Sequence, residues 1–194
     1  MRDFLYSIGF VSCNFDPCIF LKKESADSLY IGLYVDDLQI CGSNEAGVSL
    51  VKRELCAYFE MKDMGLVAYL LGLEIQMDPK SKLLTICQAK YTKDLLVQYE
   101  LDHLRPLSIP MEPSTKLSKS SSPLINSNEW KEMQHKPYRG LVGALMYLAC
   151  ASRPDISHAV GEVARFVSNP GMDHWKAVVK ICQYLIGTVI WIGL

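Results

Sequence analysis

The chain has 194 residues, 49% of them hydrophobic and 21% charged, which excludes a disordered polymer and allows one large or two small cored domains. Its formal net charge of -1 excludes a surface that is basic throughout, so any contact with a polyanion must be local. Seven cysteines, odd in number and without a C-x-x-C pair, read as buried thiols of a reducing compartment, and four dispersed histidines lack the spacing of a zinc site. No run reaches about 18 apolar residues and the N-terminus carries no cleavage signature, so neither a signal peptide nor a membrane span is expected, and the location is intracellular, cytoplasmic or nuclear.

In chain order, residues 1–9 predict the last turns of a helix, with Phe4, Leu5 and Ile8 on one side and Gly9 as its stop. Residues 19–22 predict a strand that turns near Ser25 and Ala26 into a second one. There Leu29, Ile31, Leu33 and Val35 alternate with Tyr30, Gly32, Tyr34 and Asp36, and a further apolar run begins at Leu38. Aspartate is depleted in strands and favoured in turns, which puts Asp36 and Asp37 at the tip of a hairpin. Two adjacent carboxylates repel unless a cation lies beside them, and a divalent metal is the simplest such cation. A solvated turn without chemistry is the plain alternative. In this register Asp16 falls opposite Val35, near the acidic tip, but its simpler role is to start the strand at Ile19.

Residues 45–59 predict a helix that buries Val48, Val51, Leu55, Tyr58 and Phe59 and leaves Lys52 and Arg53 solvated. A hairpin is expected over 66–77 and 83–88, turning at 78–82, followed by a helix over 88–99 whose Lys90 and Lys93 could meet phosphate. Four prolines and a run of serines mark 104–129 as a linker. Three amphipathic helices follow. Pro137 opens the first, Pro154 precedes the second, whose stripe runs from Ile156 to Val167, and Trp175 to Ile186 stripe the third, which stops at Gly187. The fold class expected is α+β, an antiparallel hairpin sheet with helices followed by a three-helix bundle.

Several of these stretches together resemble a known family. Tyr34-Val35-Asp36-Asp37 within its flanking apolar runs is similar to the aspartate hairpin of a reverse transcriptase palm of the copia-type retrotransposons. Asp16-Pro17-Cys18, Gln88 to Leu96, Pro137-Tyr138-Arg139-Gly140-Leu141-Val142-Gly143, Arg153-Pro154-Asp155-Ile156 and His174-Trp175-Lys176-Ala177 resemble the family's D-x-C, Q-x-x-Y-x-x-x-L-L, P-Y-R-x-L-V-G, R-P-D-I and H-W-x-A elements. The resemblance implies an RNA-directed DNA polymerase within a Pol polyprotein, acting by two-Mg²⁺ nucleotidyl transfer. Asp36 and Asp37 would be its catalytic residues and Mg²⁺ ligands, and Tyr34 and Val35 would contact primer and substrate. It implies template-primer and deoxynucleotides as partners. It divides the chain into a partial palm with the following hairpin and helix (1–103), a linker (104–129) and a thumb or connection region (130–194). It further implies that the palm strand carrying a third carboxylate, the fingers and an RNase H domain lie outside these residues, so that the fragment alone is inactive. A non-catalytic remnant that binds nucleic acid or protein, or has no selected role, is the competing reading.

Overall fold

A computed structural model describes residues 1–24, 27–78 and 80–189. The turn expected at Ser25 and Ala26, Pro79 of the second turn, and residues 190–192 of the stretch from Val189 that reads as the start of a strand lie outside them. The fold is α+β, with seven α-helices and two antiparallel sheets among the described residues, and it divides into two compact units, Met1–Val67 and Ala68–Leu194.

In the first unit, helix α1 (Arg2–Ser7) leads into a meander of β1 (Val11–Ser12), β2 (Ile19–Glu24), β3 (Asp27–Tyr34) and β4 (Asp37–Gly42), with helix α2 (Glu45–Tyr58) after it. The alternation in β3 does what its period requires. Leu29 and Ile31 enter a core with Leu5, Phe10, Phe20, Val51 and Leu55, while Tyr30 and Tyr34 stay exposed. Asn44 caps α2 by accepting from the Ala46 and Gly47 N–H groups at 2.8 and 3.3 Å. The expected helix face is corrected at Tyr58, which is 69% exposed and instead sets its ring 4.5 Å from that of Phe4. Lys52 is not simply solvated, since it pairs with Asp63 at 3.1 Å.

The second unit holds β5 (Tyr69–Leu70), β6 (Leu73–Asp78) and β7 (Leu83–Cys87), then α3 (Ala89–Gln98), α4 (Asn128–Gln134), α5 (Tyr138–Ala151), α6 (Ser157–Ala164) and α7 (Met172–Gly187). The single strand expected over 66–77 is broken. Leu71 and Gly72 both have positive φ (51° and 78°) and fold β5 back onto β6. Helices α5, α6 and α7 share a core in which Leu141, Leu145, Leu148, Ile156, Val163, Val178, Ile181 and Leu185 have no accessible surface, and Leu95 and Leu96 of α3 join it. Fully burying each such side chain contributes about 1.5–3 kcal/mol. Beside this core, Arg153 is nearly inaccessible. Its Nε and a terminal nitrogen donate to the two Asp155 carboxylate oxygens at 3.0 and 2.8 Å, and the guanidinium also donates to the Thr188 carbonyl and hydroxyl at 2.9 and 2.7 Å. All seven cysteines are free, but the expectation of buried thiols is corrected: Cys182 is buried, whereas Cys18, Cys41, Cys56 and Cys150 are exposed. Apolar sequence neighbours do not bury a thiol that faces outward from its helix or strand.

Candidate functional site

The acidic hairpin is set by cross-strand pairing. Leu29 pairs with Gly42, Ile31 with Ile40, Leu33 with Leu38 and Tyr34 with Asp37, which leaves Val35 and Asp36 as a two-residue turn. Asp36 is in the turn and Asp37 opens β4, and both are exposed. Because paired residues share a face, Asp37 lies on the face of Tyr34, opposite to the face that packs on the helices.

Val35 holds φ at 51°, a left-handed conformation in which a β-branched residue is a rare outlier. Its side chain is 89% exposed, so burial does not compensate for this conformation. Nothing in the sequence signals it, because two-residue turns of this kind ordinarily take Gly or Asn. Strain of this sort costs on the order of 1–3 kcal/mol and persists only where the surroundings over-determine the backbone.

The hairpin that carries this turn is bonded at its base. At the far end of the hairpin, the Ser43 hydroxyl accepts from the Ser28 N–H at 3.2 Å and donates to Asp27 at 2.9 Å, while the Asn44 amide donates to Asp27 at 3.0 Å. The bonds from Asn44 and then Ser43 hold the Asp27 carboxyl below the usual carboxylate range. Gly42 has no room for a side chain: a Cβ there would stand 2.5 Å from Leu29 Cδ2 and 2.8 Å from Val48 Cγ2, so the glycine lets α2 close onto the hairpin. Sequence reasoning missed this contact, since Gly42-Ser43-Asn44 reads only as a turn with a helix N-cap.

On the other side, β2 pairs with β3 from Ile19 opposite Gly32 to Glu24 opposite Asp27. The Asp16 carboxylate accepts the Cys18 N–H at 2.8 Å, the turn-forming bond of a residue that starts a strand. Among the described residues, no group of three or more His, Cys, Asp or Glu side chains is placed to hold a metal ion. The tip therefore offers two hard carboxylates and no third.

A family model described as reverse transcriptase (RNA-dependent DNA polymerase) matches residues 1–113. The chain belongs to the reverse transcriptase family. Beyond the matched residues, the similarity to retrovirus-related Pol polyproteins continues through nearly all of the chain. It is 38% identical over 96% of its length to the retrovirus-related Pol polyprotein from transposon TNT 1-94 of Nicotiana tabacum, covering 14% of that protein. It is 35% identical over 97% of its length to the corresponding Pol polyprotein from transposon RE1 of Arabidopsis thaliana, covering 12%. A putative transposon Ty5-1 protein of Saccharomyces cerevisiae is 29% identical over 97% of the chain, which covers 58% of that relative. The chain thus spans about one-eighth of the two plant polyproteins. No solved structure matches. No helix among the described residues is long and apolar enough to cross a membrane.

Proposed function

We propose that this reverse transcriptase chain is a segment of an RNA-directed DNA polymerase whose Asp36 and Asp37 help to hold Mg²⁺ at the primer end, and that the segment is inactive alone. The observation that carries the reading is the pair of exposed carboxylates on a strained turn backed by a pinned hairpin base. Preorganised charge on a rigid element is what nucleotidyl transfer requires, and a mobile loop would supply it poorly.

The donor chemistry fits Mg²⁺, which prefers hard oxygens and takes one or two protein carboxylates beside phosphates and water. When bound, such ions activate the attacking hydroxyl and neutralise the leaving phosphates. The chain's own residues would act around them. Asp36 and Asp37 supply the anionic oxygens, and Tyr34, on the same face as Asp37, supplies a ring against which primer or nucleotide packs. Val35 holds the turn that presents all three. In this reading residues 1–103 are the later part of a palm with its hairpin and helix, 104–129 a linker, and 130–194 a helical thumb or connection region. Template-primer and deoxynucleotides bind the longer enzyme. The charge distribution supports the division of labour: residues 1–67 carry six bases against ten acids, and residues 68–194 carry fourteen against eleven. The acidic unit suits metal, and the basic one suits the polyanion.

With two carboxylates and no third among the described residues, the purified chain should not extend a primer with Mg²⁺. Placed in exchange for the corresponding segment of the tobacco transposon polyprotein, it should support extension, and Asp36→Asn should reduce this by at least about 10². Extension by the short chain that Asp36→Asn abolishes would overturn its incompleteness. An Asp36→Asn chimera as active as its parent would overturn the assignment of the site.

A further inference from the structure

The proline- and serine-rich stretch before α4 is a strap tied along α7. Toward the helix C-terminus, the Leu107 N–H donates to the Gln183 carbonyl at 3.2 Å, and the Gln183 amide donates to the Arg105 carbonyl at 3.0 Å. Toward the helix N-terminus, the buried His174 ring accepts the Gly171 N–H on Nδ1 at 2.8 Å and donates from Nε2 to the Ser118 carbonyl at 3.1 Å. Pro110 and Pro113 fix their own φ between these ties, so this part of the strap has little conformational freedom left to lose when something binds.

Between the ties lies an open groove of about 270 Å³, lined by Met111, Lys116 and Leu117 of the strap and by Lys176, Ala177 and Lys180 of α7. The three lysines are exposed. Lys176 and Lys180 stand one helical turn apart, with Cβ atoms about 5–6 Å from each other, and Lys116 joins them from the strap. Among the described lining residues Asp173 is the one acid, 3.7 Å from Lys176, and both side chains of that pair are largely exposed. Such a pair contributes little and yields readily to another anion. Lys116 and Lys180 make no ion pair among the described residues. The groove therefore combines an apolar wall with an excess of positive charge.

We propose that this groove holds the backbone of a single nucleic-acid strand, with phosphates on Lys116, Lys176 and Lys180 and a sugar or base against the apolar wall. The inference rests on the reading of the chain as part of a nucleic-acid polymerase and adds to it a contact made by the second unit alone. Cations without partners on flexible stems favour a polyanion, whose phosphates give up their counterions on binding. The apolar wall selects a single strand over a duplex. In a duplex the bases are paired inward and a groove meets little but phosphate and sugar edges, whereas a single strand can turn a base onto Met111, Leu117 and Ala177. An acidic peptide matches the charge, but a run of carboxylate side chains has nothing to lay against that wall.

The test is fluorescence anisotropy of a labelled oligo-dT with the whole chain in EDTA, titrated over a range of salt concentrations. Lys116→Gln/Lys176→Gln/Lys180→Gln should weaken binding by at least about tenfold and lower the slope of log affinity against log salt by about 2, since each phosphate contact on a single strand contributes about 0.7. Lys180→Gln alone, which leaves the strap untouched, should lower the slope by about 0.7 and guards against a triple variant that does not fold. Lys80→Gln/Lys82→Gln/Lys131→Gln removes the same charge from exposed positions outside the groove and should weaken binding less than about threefold. Unlabelled oligo-dT should compete at least about tenfold better than a matched duplex or polyglutamate. No binding by the wild type, equal losses in the two triple variants, or equal competition by duplex or polyglutamate would overturn the groove. Because the assay contains no free Mg²⁺, its failure strikes the groove alone, and primer extension decides the acidic tip separately.

Discussion

Replacing Arg153 with Met keeps most of the side-chain stem and removes a guanidinium that makes at least four hydrogen bonds from a side chain only 4% exposed. The Asp155 carboxylate, 17% exposed, is left with the Tyr184 hydroxyl at 2.8 Å. Breaking one side of a buried pair costs about 3–5 kcal/mol, and the residual exposure of Asp155 puts the expected loss near about 3 kcal/mol. In the wild type, burial raises the Asp155 pKa, but the bonds from Arg153 and Tyr184 together outweigh it and hold the group below its ordinary range. Its contribution to stability is therefore present above the unfolded value, near pH 3.8, and is lost as pH falls through the folded one. In Arg153→Met the raising influence dominates, so Asp155 takes up a proton at higher pH and the gap between the two proteins narrows toward acid. Urea unfolding followed by tryptophan fluorescence measures this, because every tryptophan follows Val67 in the sequence and the described Trp130 and Trp175 report the second unit. The double variant Arg153→Met/Asp155→Asn removes the stranded charge and should recover at least about 1 kcal/mol. A loss below about 1 kcal/mol in the single variant, or no recovery in the double, would refute the view that these groups act as a charged pair.

Other substitutions probe the remaining features. Val35→Gly relieves the positive φ and should stabilise the first unit by about 1 kcal/mol after the added chain entropy, read by far-ultraviolet circular dichroism, while lowering primer extension in the chimera. Destabilisation by more than about 1 kcal/mol would show that the turn is unstrained. Gly171→Ala forces a methyl group against the Ser121 carbonyl and should lower the stability of the second unit by at least about 2 kcal/mol in the same urea assay, with a neutral result overturning that contact. Burial pushes the Cys182 thiol up to about 12, so iodoacetamide at pH 8 should label the exposed Cys18, Cys41, Cys56 and Cys150 and spare Cys182 until urea is added. Labelling of Cys182 at the rate of Cys150 would contradict its burial.

Where the polypeptide follows its local pattern, the sequence was readable. The alternation of Leu29, Ile31 and Leu33 and the turn preference of aspartate led to the β3–β4 hairpin and its exposed acids. The prolines and glycines around Pro137, Pro154 and Gly187 marked where helices α5 to α7 begin and end. What escaped depends on contacts distant in sequence or on unfavoured backbone. Leu71 and Val35 adopt positive φ with residue types that give no hint of it. The lone Arg153 shows no sign, by periodicity or spacing, of its ties to Thr188, nor does His174 of its bond to a carbonyl 56 positions earlier. A proline-rich stretch that lacks regular ladder bonds still makes side-chain bonds to a helix, and composition alone registers only the first property.

The sheets have one more consequence, which concerns time rather than energy. Strand order equals sequence order in both, and every pairing joins neighbours along the chain, with no crossover to be threaded. Each hairpin closes a short loop, so little chain entropy must be lost before the next strand adds, and such local topologies fold fast. During synthesis the meander can assemble as soon as the residues of β4 and α2 have left the ribosome, before the helices of the second unit exist. The ties of the proline- and serine-rich stretch to Asn169, His174 and Gln183 follow the opposite rule. They span from 46 to 78 positions, so each must wait until most of the second unit has been made.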